Sequence, residues 1–74
     1  MTRKTFEMTL LEKAMKHNEG EIVINYRYFE TSQTFMVVSA IPMTSIVWKR
    51  YYHVNSDLSI EFQNCAIAEF HFED

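Results

Sequence analysis

Lys13-Ala14-Met15-Lys16-His17-Asn18-Glu19-Gly20-Glu21-Ile22-Val23-Ile24-Asn25-Tyr26-Arg27-Tyr28 contains the point at which the hydrophobic period of this chain changes. Upstream of Gly20 the apolar residues Phe6, Leu10, Leu11, Ala14 and Met15 recur with the spacing of one helix face. The spacing predicts a helix over about 5–18. The Thr5 hydroxyl is available to cap its start, and Glu7 sits in the first turn. Lys13, Lys16 and His17 crowd the end that favours cations, and Gly20 follows as a residue able to take the left-handed conformation. Downstream the alternation is that of strands. Ile22, Ile24, Tyr26 and Tyr28 fall on one face and are expected inside, with Val23, Asn25, Arg27 and Phe29 on the other.

The strand pattern continues to the end of the chain. Strands are predicted over about 21–29, 34–41, 45–54, 58–63 and 66–72. Glu30-Thr31-Ser32-Gln33 and Asn55-Ser56-Asp57 have turn chemistry, and Gln63-Asn64 reads as a short break. Phe35 to Ile41 is apolar on both faces and reads as a central strand that Pro42 closes. One helix followed by about five short antiparallel strands gives an α+β domain. The expected architecture is a small Sm-like or SH3-like barrel, whose closure limits exposed edges. The alternative is a helix packed on an open antiparallel meander.

With 74 residues the chain is one domain, 1–74, and its small core must be efficient or shared with a partner. Aromatic residues at 15% and hydrophobic residues at 47% favour a packed globule over disorder. A net charge of −3 gives no general attraction to nucleic acid. The single cysteine, Cys65, excludes an intramolecular disulfide framework, and a cytoplasmic location is the simplest expectation. No secretory h-region and no membrane-spanning apolar run is visible.

The densest candidate site is Val47-Trp48-Lys49-Arg50-Tyr51-Tyr52-His53. With Trp48 and Tyr52 inside, Lys49, Tyr51 and His53 project outward, joined by Arg27 and Asn25 if the first and third strands share a face. Arg27, Lys49, Arg50, Tyr51 and His53 are therefore the expected partner-binding residues. Strict alternation turns Arg50 inward, where it needs a carboxylate or carbonyl; a rim position open to solvent is the favoured reading. Glu61, Glu69 and Glu73 form an expected acidic face suited to a basic protein or to protection of an edge.

No enzyme chemistry is expected. Glu69, His71 and Glu73 alternate along one strand and diverge, so no metal site is predicted. Cys65 has only Asn64 and Ala66 beside it to lower its pKa and is expected to fill an apolar closing turn. His53, Ser56 and Asp57 lack the elbow and oxyanion loop of a triad. Gly20, the only glycine, closes a helix and cradles no phosphate. Met43 follows Pro42 in a loop, where an exposed methionine suits protein contacts.

Leu11-Glu12-Lys13-Ala14-Met15 followed by Ile22-Val23-Ile24-Asn25-Tyr26 resembles the helix-to-strand junction of WYL-like and YolD-like small proteins. Ile60-Glu61-Phe62-Gln63-Asn64-Cys65-Ala66-Ile67-Ala68 resembles their closing strand. The resemblance covers Leu10 to about Phe72 and rests on core-packing patterns. It implies an Sm-like barrel and a regulatory or accessory role near nucleic-acid transactions in bacteria and phages. The chain lacks the glycine of the first hairpin, and Trp48-Lys49-Arg50 only loosely echoes the Trp-Tyr-Leu signature.

The expected function is thus a non-enzymatic module without cofactor that binds and modulates a macromolecule, such as a bacterial or phage-encoded inhibitor. A protein partner is favoured. The alternative is a nucleic-acid-binding accessory protein that uses the basic-aromatic strand. Homodimerisation through an edge strand is open to so small a core.

Overall fold

The computed structural model describes residues 2–16 and 18–68. Helix α1 (Arg3–Met15) is followed by β1 (Ile22–Phe29), β2 (Thr34–Ala40), β3 (Val47–Val54) and β4 (Ile60–Ile67). The strands form one antiparallel sheet in the order β1-β2-β3-β4, so each connection is a hairpin. Among the described residues β1 and β4 are the two edges, and the sheet is open. The α+β layout stands, and the four described strands form an open antiparallel meander.

Two features of the strands depart from strict alternation, and both are β-bulges. Val23 pairs with Ser39 but Asn25 pairs with Val38, which leaves Ile24 as an extra residue. The bulge reverses sidedness, so Val23, Tyr26 and Tyr28 lie on the helix side while Ile22 and Ile24 are exposed. Those two isoleucines were expected in the core. On β4, Tyr51 pairs with Asn64 and Tyr52 with Phe62, which bulges Gln63. The supposed break at Gln63-Asn64 is this bulge, and one strand crosses it. The rest of the expected fifth strand, with Glu69, His71 and Glu73, lies outside the described residues.

Helix α1 starts earlier than its apolar spacing suggests. Thr2 is the cap: its Oγ1 accepts the Thr5 N–H at 3.2 Å, so Glu7 falls beyond the first turn and pairs with Arg3 at 3.0 Å. The helix lies on the sheet through Leu10 and Ala14, which meet Phe35, Val37, Tyr52 and Val54 in the core. Each end is fixed separately. At the N-terminal end the Phe6 and Tyr28 rings meet edge-on at 5.0 Å, and Arg3 Nη2 donates to the Tyr28 carbonyl at 3.0 Å. Beyond the other end, Asn18 Nδ2 donates to the Ala14 carbonyl (2.9 Å) and to the Tyr52 hydroxyl (3.3 Å). Burial pushes the Tyr52 phenol above its ordinary pKa, against the Arg50 charge and the Asn18 bond, which pull it down.

Gly20 has φ 87°, in the turn between helix and β1. The hairpin loops use the same left-handed region without glycine, at Gln33 (φ 52°), Met43 (φ 65°) and Leu58 (φ 67°). An L-residue there is strained by about 1–2 kcal/mol. Gln33 is exposed, so its side chain contributes little in return. Gln33→Gly is expected to raise stability by about 0.5–1 kcal/mol after the greater freedom of unfolded glycine is counted. Urea unfolding measures this as a higher midpoint at unchanged slope.

Candidate partner-binding face

The strand register lays out two sheet surfaces. On the helix side, Ser39, Val37 and Phe35 pair with Trp48, Arg50 and Tyr52. The other surface has no covering layer among the described residues. Its rows run across the sheet as Asn25–Val38–Lys49–Ala66, Arg27–Met36–Tyr51–Asn64 and Phe29–Thr34–His53–Glu61. Alternate residues on a strand place successive rows about 7 Å apart.

Arg27, Lys49, Tyr51 and His53 therefore share one surface. An open groove of about 780 Å³ crosses it, bounded by Asn25, Met36, Val38, Lys49, Tyr51 and Ala66 among others. Val38 lines the groove and is only 5% exposed. Its neighbours Lys49 and Asn25 flank it in the same row, and Ile24 and Ile67 also line the groove, so polar and apolar side chains share its walls. Arg27 lies 5.2 Å from the Phe29 ring centroid, a cation–π contact that orients the guanidinium along β1. Among the described residues neither Arg27 nor Lys49 has a carboxylate at ion-pair distance. Glu61 sits opposite His53 on this same surface, while Glu69 and Glu73 lie outside the described residues.

Arg50 is not part of this surface. Its side chain is 15% exposed on the helix side, where Nη1 donates to Glu21 Oε1 at 2.5 Å and to Ser39 Oγ at 3.2 Å. The expected rim position is thus corrected. Alternation holds through β3, and the carboxylate that burial demands comes from the residue just before β1. Burial pushes the Glu21 carboxyl up, but the Arg50 and Ser39 hydrogen bonds and the Arg50 charge outweigh it and hold the pKa below the ordinary value of 4.5. Trp48 completes the setting, with the Arg50 guanidinium 5.9 Å from its ring centroid. No buried side-chain polar atom among the described residues lacks a partner.

Other candidates take ordinary places. Cys65 is exposed within β4, opposite Arg50, and not in a closing turn. Asp57 accepts from the Ser59 hydroxyl (2.6 Å) and N–H (3.0 Å), which holds its carboxyl below the usual range and shapes the β3–β4 turn. Met43 is fully exposed at the tip of the β2–β3 loop. Met36 and Val38 were not anticipated as part of a binding face. Their signal was present: a strand apolar on both sides, over a sheet with one helix, turns one apolar side away from that helix.

No known protein family, curated protein or solved structure matches this chain. No helix of the described residues is long and apolar enough to cross a membrane.

Proposed function

We propose that this chain is a non-enzymatic binding module that modulates a protein partner held on the sheet face turned away from the helix. The supporting observation is the groove itself, where apolar Val38 and Met36 lie beside Lys49, Tyr51 and Asn25. Apolar anchorage with polar groups beside it is the arrangement that protein contacts use. Nucleic acid is the second reading, and Arg50 weakens it. With that guanidinium committed to Glu21, the face keeps Arg27 and Lys49 as its full cations, few for an affinity governed by phosphate neutralisation. The likeness to WYL-like and YolD-like proteins belongs to the same proposal, and adds an Sm-like affiliation and an accessory role in bacteria or phages.

The test compares capture from lysate by the wild type, by Lys49→Glu with Tyr51→Glu, and by Lys4→Glu on the exposed surface of the helix. The expected result is a protein retained by wild type and Lys4→Glu, lost with the face variant and insensitive to nuclease. Recovery unchanged by the face variant overturns the site. Loss on nuclease treatment, with oligonucleotide binding whose salt slope falls in the face variant, overturns the choice of partner.

A further inference from the structure

The two sheet edges are unlike each other. The outer edge of β1 is blunted by side chains: Arg3 occupies the Tyr28 carbonyl (3.0 Å), Asn25 Oδ1 accepts the Tyr26 N–H (2.9 Å), and Ile24 bulges. These are devices that keep an edge from pairing. On β4, no side chain among the described residues bonds to the backbone of Ile60–Ile67. The strand is exposed from Glu61 to Ile67, and Glu61 is its only charge. Two of its exposed residues are large and apolar, Phe62 at 58% and Ile67 at 64%.

The geometry points to a second copy of this chain as the occupant of that edge, through antiparallel β4–β4 pairing with Cys65 on the two-fold axis. Ala68 donates its N–H to Val47 and Asn55 donates to Ser59 (2.8 and 2.9 Å), which fixes the alternation along β4. Asn64 and Ala66 direct their backbone groups to β3, whereas Phe62, Cys65 and Ile67 direct theirs to the outer edge, which no strand among the described residues covers. With Cys65 opposite its own copy, Asn64 meets Ala66 on the face turned away from the helix. The Gln63 bulge then brings Phe62 opposite Ile67 of the second copy, twice, on the helix side. A one-residue slip would set helix-side residues against the opposite face. The stretch from Phe62 to Ile67 carries no charge, so the two-fold axis opposes no like charges. Two sheets thereby join into one of eight strands, with Ala66 and Ile67, which also line the β4 end of the groove, at the join.

Sedimentation equilibrium under reducing conditions tests this. Wild type is expected to rise with concentration to about twice the chain mass of 8.9 kDa. Cys65→Pro removes an N–H that points to the outer edge and has no partner among the described residues, and should hold the mass at one chain, with the circular dichroism spectrum and urea midpoint retained. Ile67→Lys, exposed in the single chain, should also weaken association, and Cys65→Ser should leave it intact. A single-chain mass for wild type at every concentration overturns the proposal. So does a Cys65→Pro dimer, or a Cys65→Ser monomer. Lys49→Glu with Tyr51→Glu leaves this mass unchanged, so failure of the partner-binding reading and failure of this one are told apart.

Discussion

Phe35→Ala lowers the unfolding free energy by about 3–5 kcal/mol, the loss expected when a fully buried aromatic side chain leaves a cavity. Phe35 is 0% exposed at the start of β2, paired with Tyr28 on one side and Tyr52 on the other, and its ring lies 6.3 Å from that of Tyr26. Leu10 and Ala14 belong to the same cluster, so Phe35 is where helix and sheet meet. A chain of this size has few other fully buried residues with which to refill the space, and the rigid tyrosines around it relax little. In a domain this small each kcal/mol moves the melting midpoint by about 4–8 °C, so the variant should be largely unfolded at physiological temperature. Thermal and urea unfolding followed by circular dichroism measure the loss. A change below about 1 kcal/mol would mean that the cluster is not the cooperative centre of the fold.

β2 was legible as a central strand because Phe35 to Ile41 is apolar on both faces, and the inward turn of Tyr52 was legible because alternation holds along β3. The same reasoning misplaced Ile22 and Ile24 because a bulge adds one residue, and one residue exchanges the faces of a strand. Nothing local in Ile22-Val23-Ile24-Asn25 marks it; the bulge is set by pairing with β2, a non-local fact. The Gln63 bulge misled in the opposite direction, since polar residues in the middle of a strand resemble a turn. The helix start was shifted because Thr2 and Thr5 are both competent caps, and the structure uses the earlier one.

The candidate face was legible in Arg27, Lys49, Tyr51 and His53, since β1 and β3 lie on either side of β2 with outward residues in common rows. Alternation also gave the direction of Arg50. Its partner was hidden, because Glu21 lies 29 residues away, at the foot of a different strand, and a preference for solvent over burial then misplaced the side chain. Ser39 was the clue that remained. A lone polar residue in an apolar central strand needs a bonding partner, and here it bonds to both members of the ion pair.

That ion pair gives the second large effect. Glu21→Ala is expected to cost about 2–4 kcal/mol, because it leaves a mostly buried guanidinium with Ser39 Oγ as its remaining hydrogen-bond partner among the described residues. Glu21→Gln keeps an acceptor and removes the charge, so its cost should be smaller, about 1–2 kcal/mol. Replacing both ends, Glu21→Leu with Arg50→Met, should recover most of the loss, since the penalty lies in the unpaired charge more than in the missing bond. The pH dependence follows from the direction of the shift. The folded carboxyl titrates below 4.5, so its contribution is complete above the unfolded value and is lost as pH falls through the folded one. Urea midpoints for wild type and Glu21→Gln should therefore differ at neutrality and converge as pH is lowered well below 4.5. A difference that stays constant across that range would show that Glu21 acts through packing rather than charge. A double variant no better than Glu21→Ala would place the cost in the shape of the Trp48–Arg50 contact. Because Glu21 immediately precedes β1, its bonds to β2 and β3 tie the connection from the helix to the two central strands, and the charge pair fixes where the sheet begins.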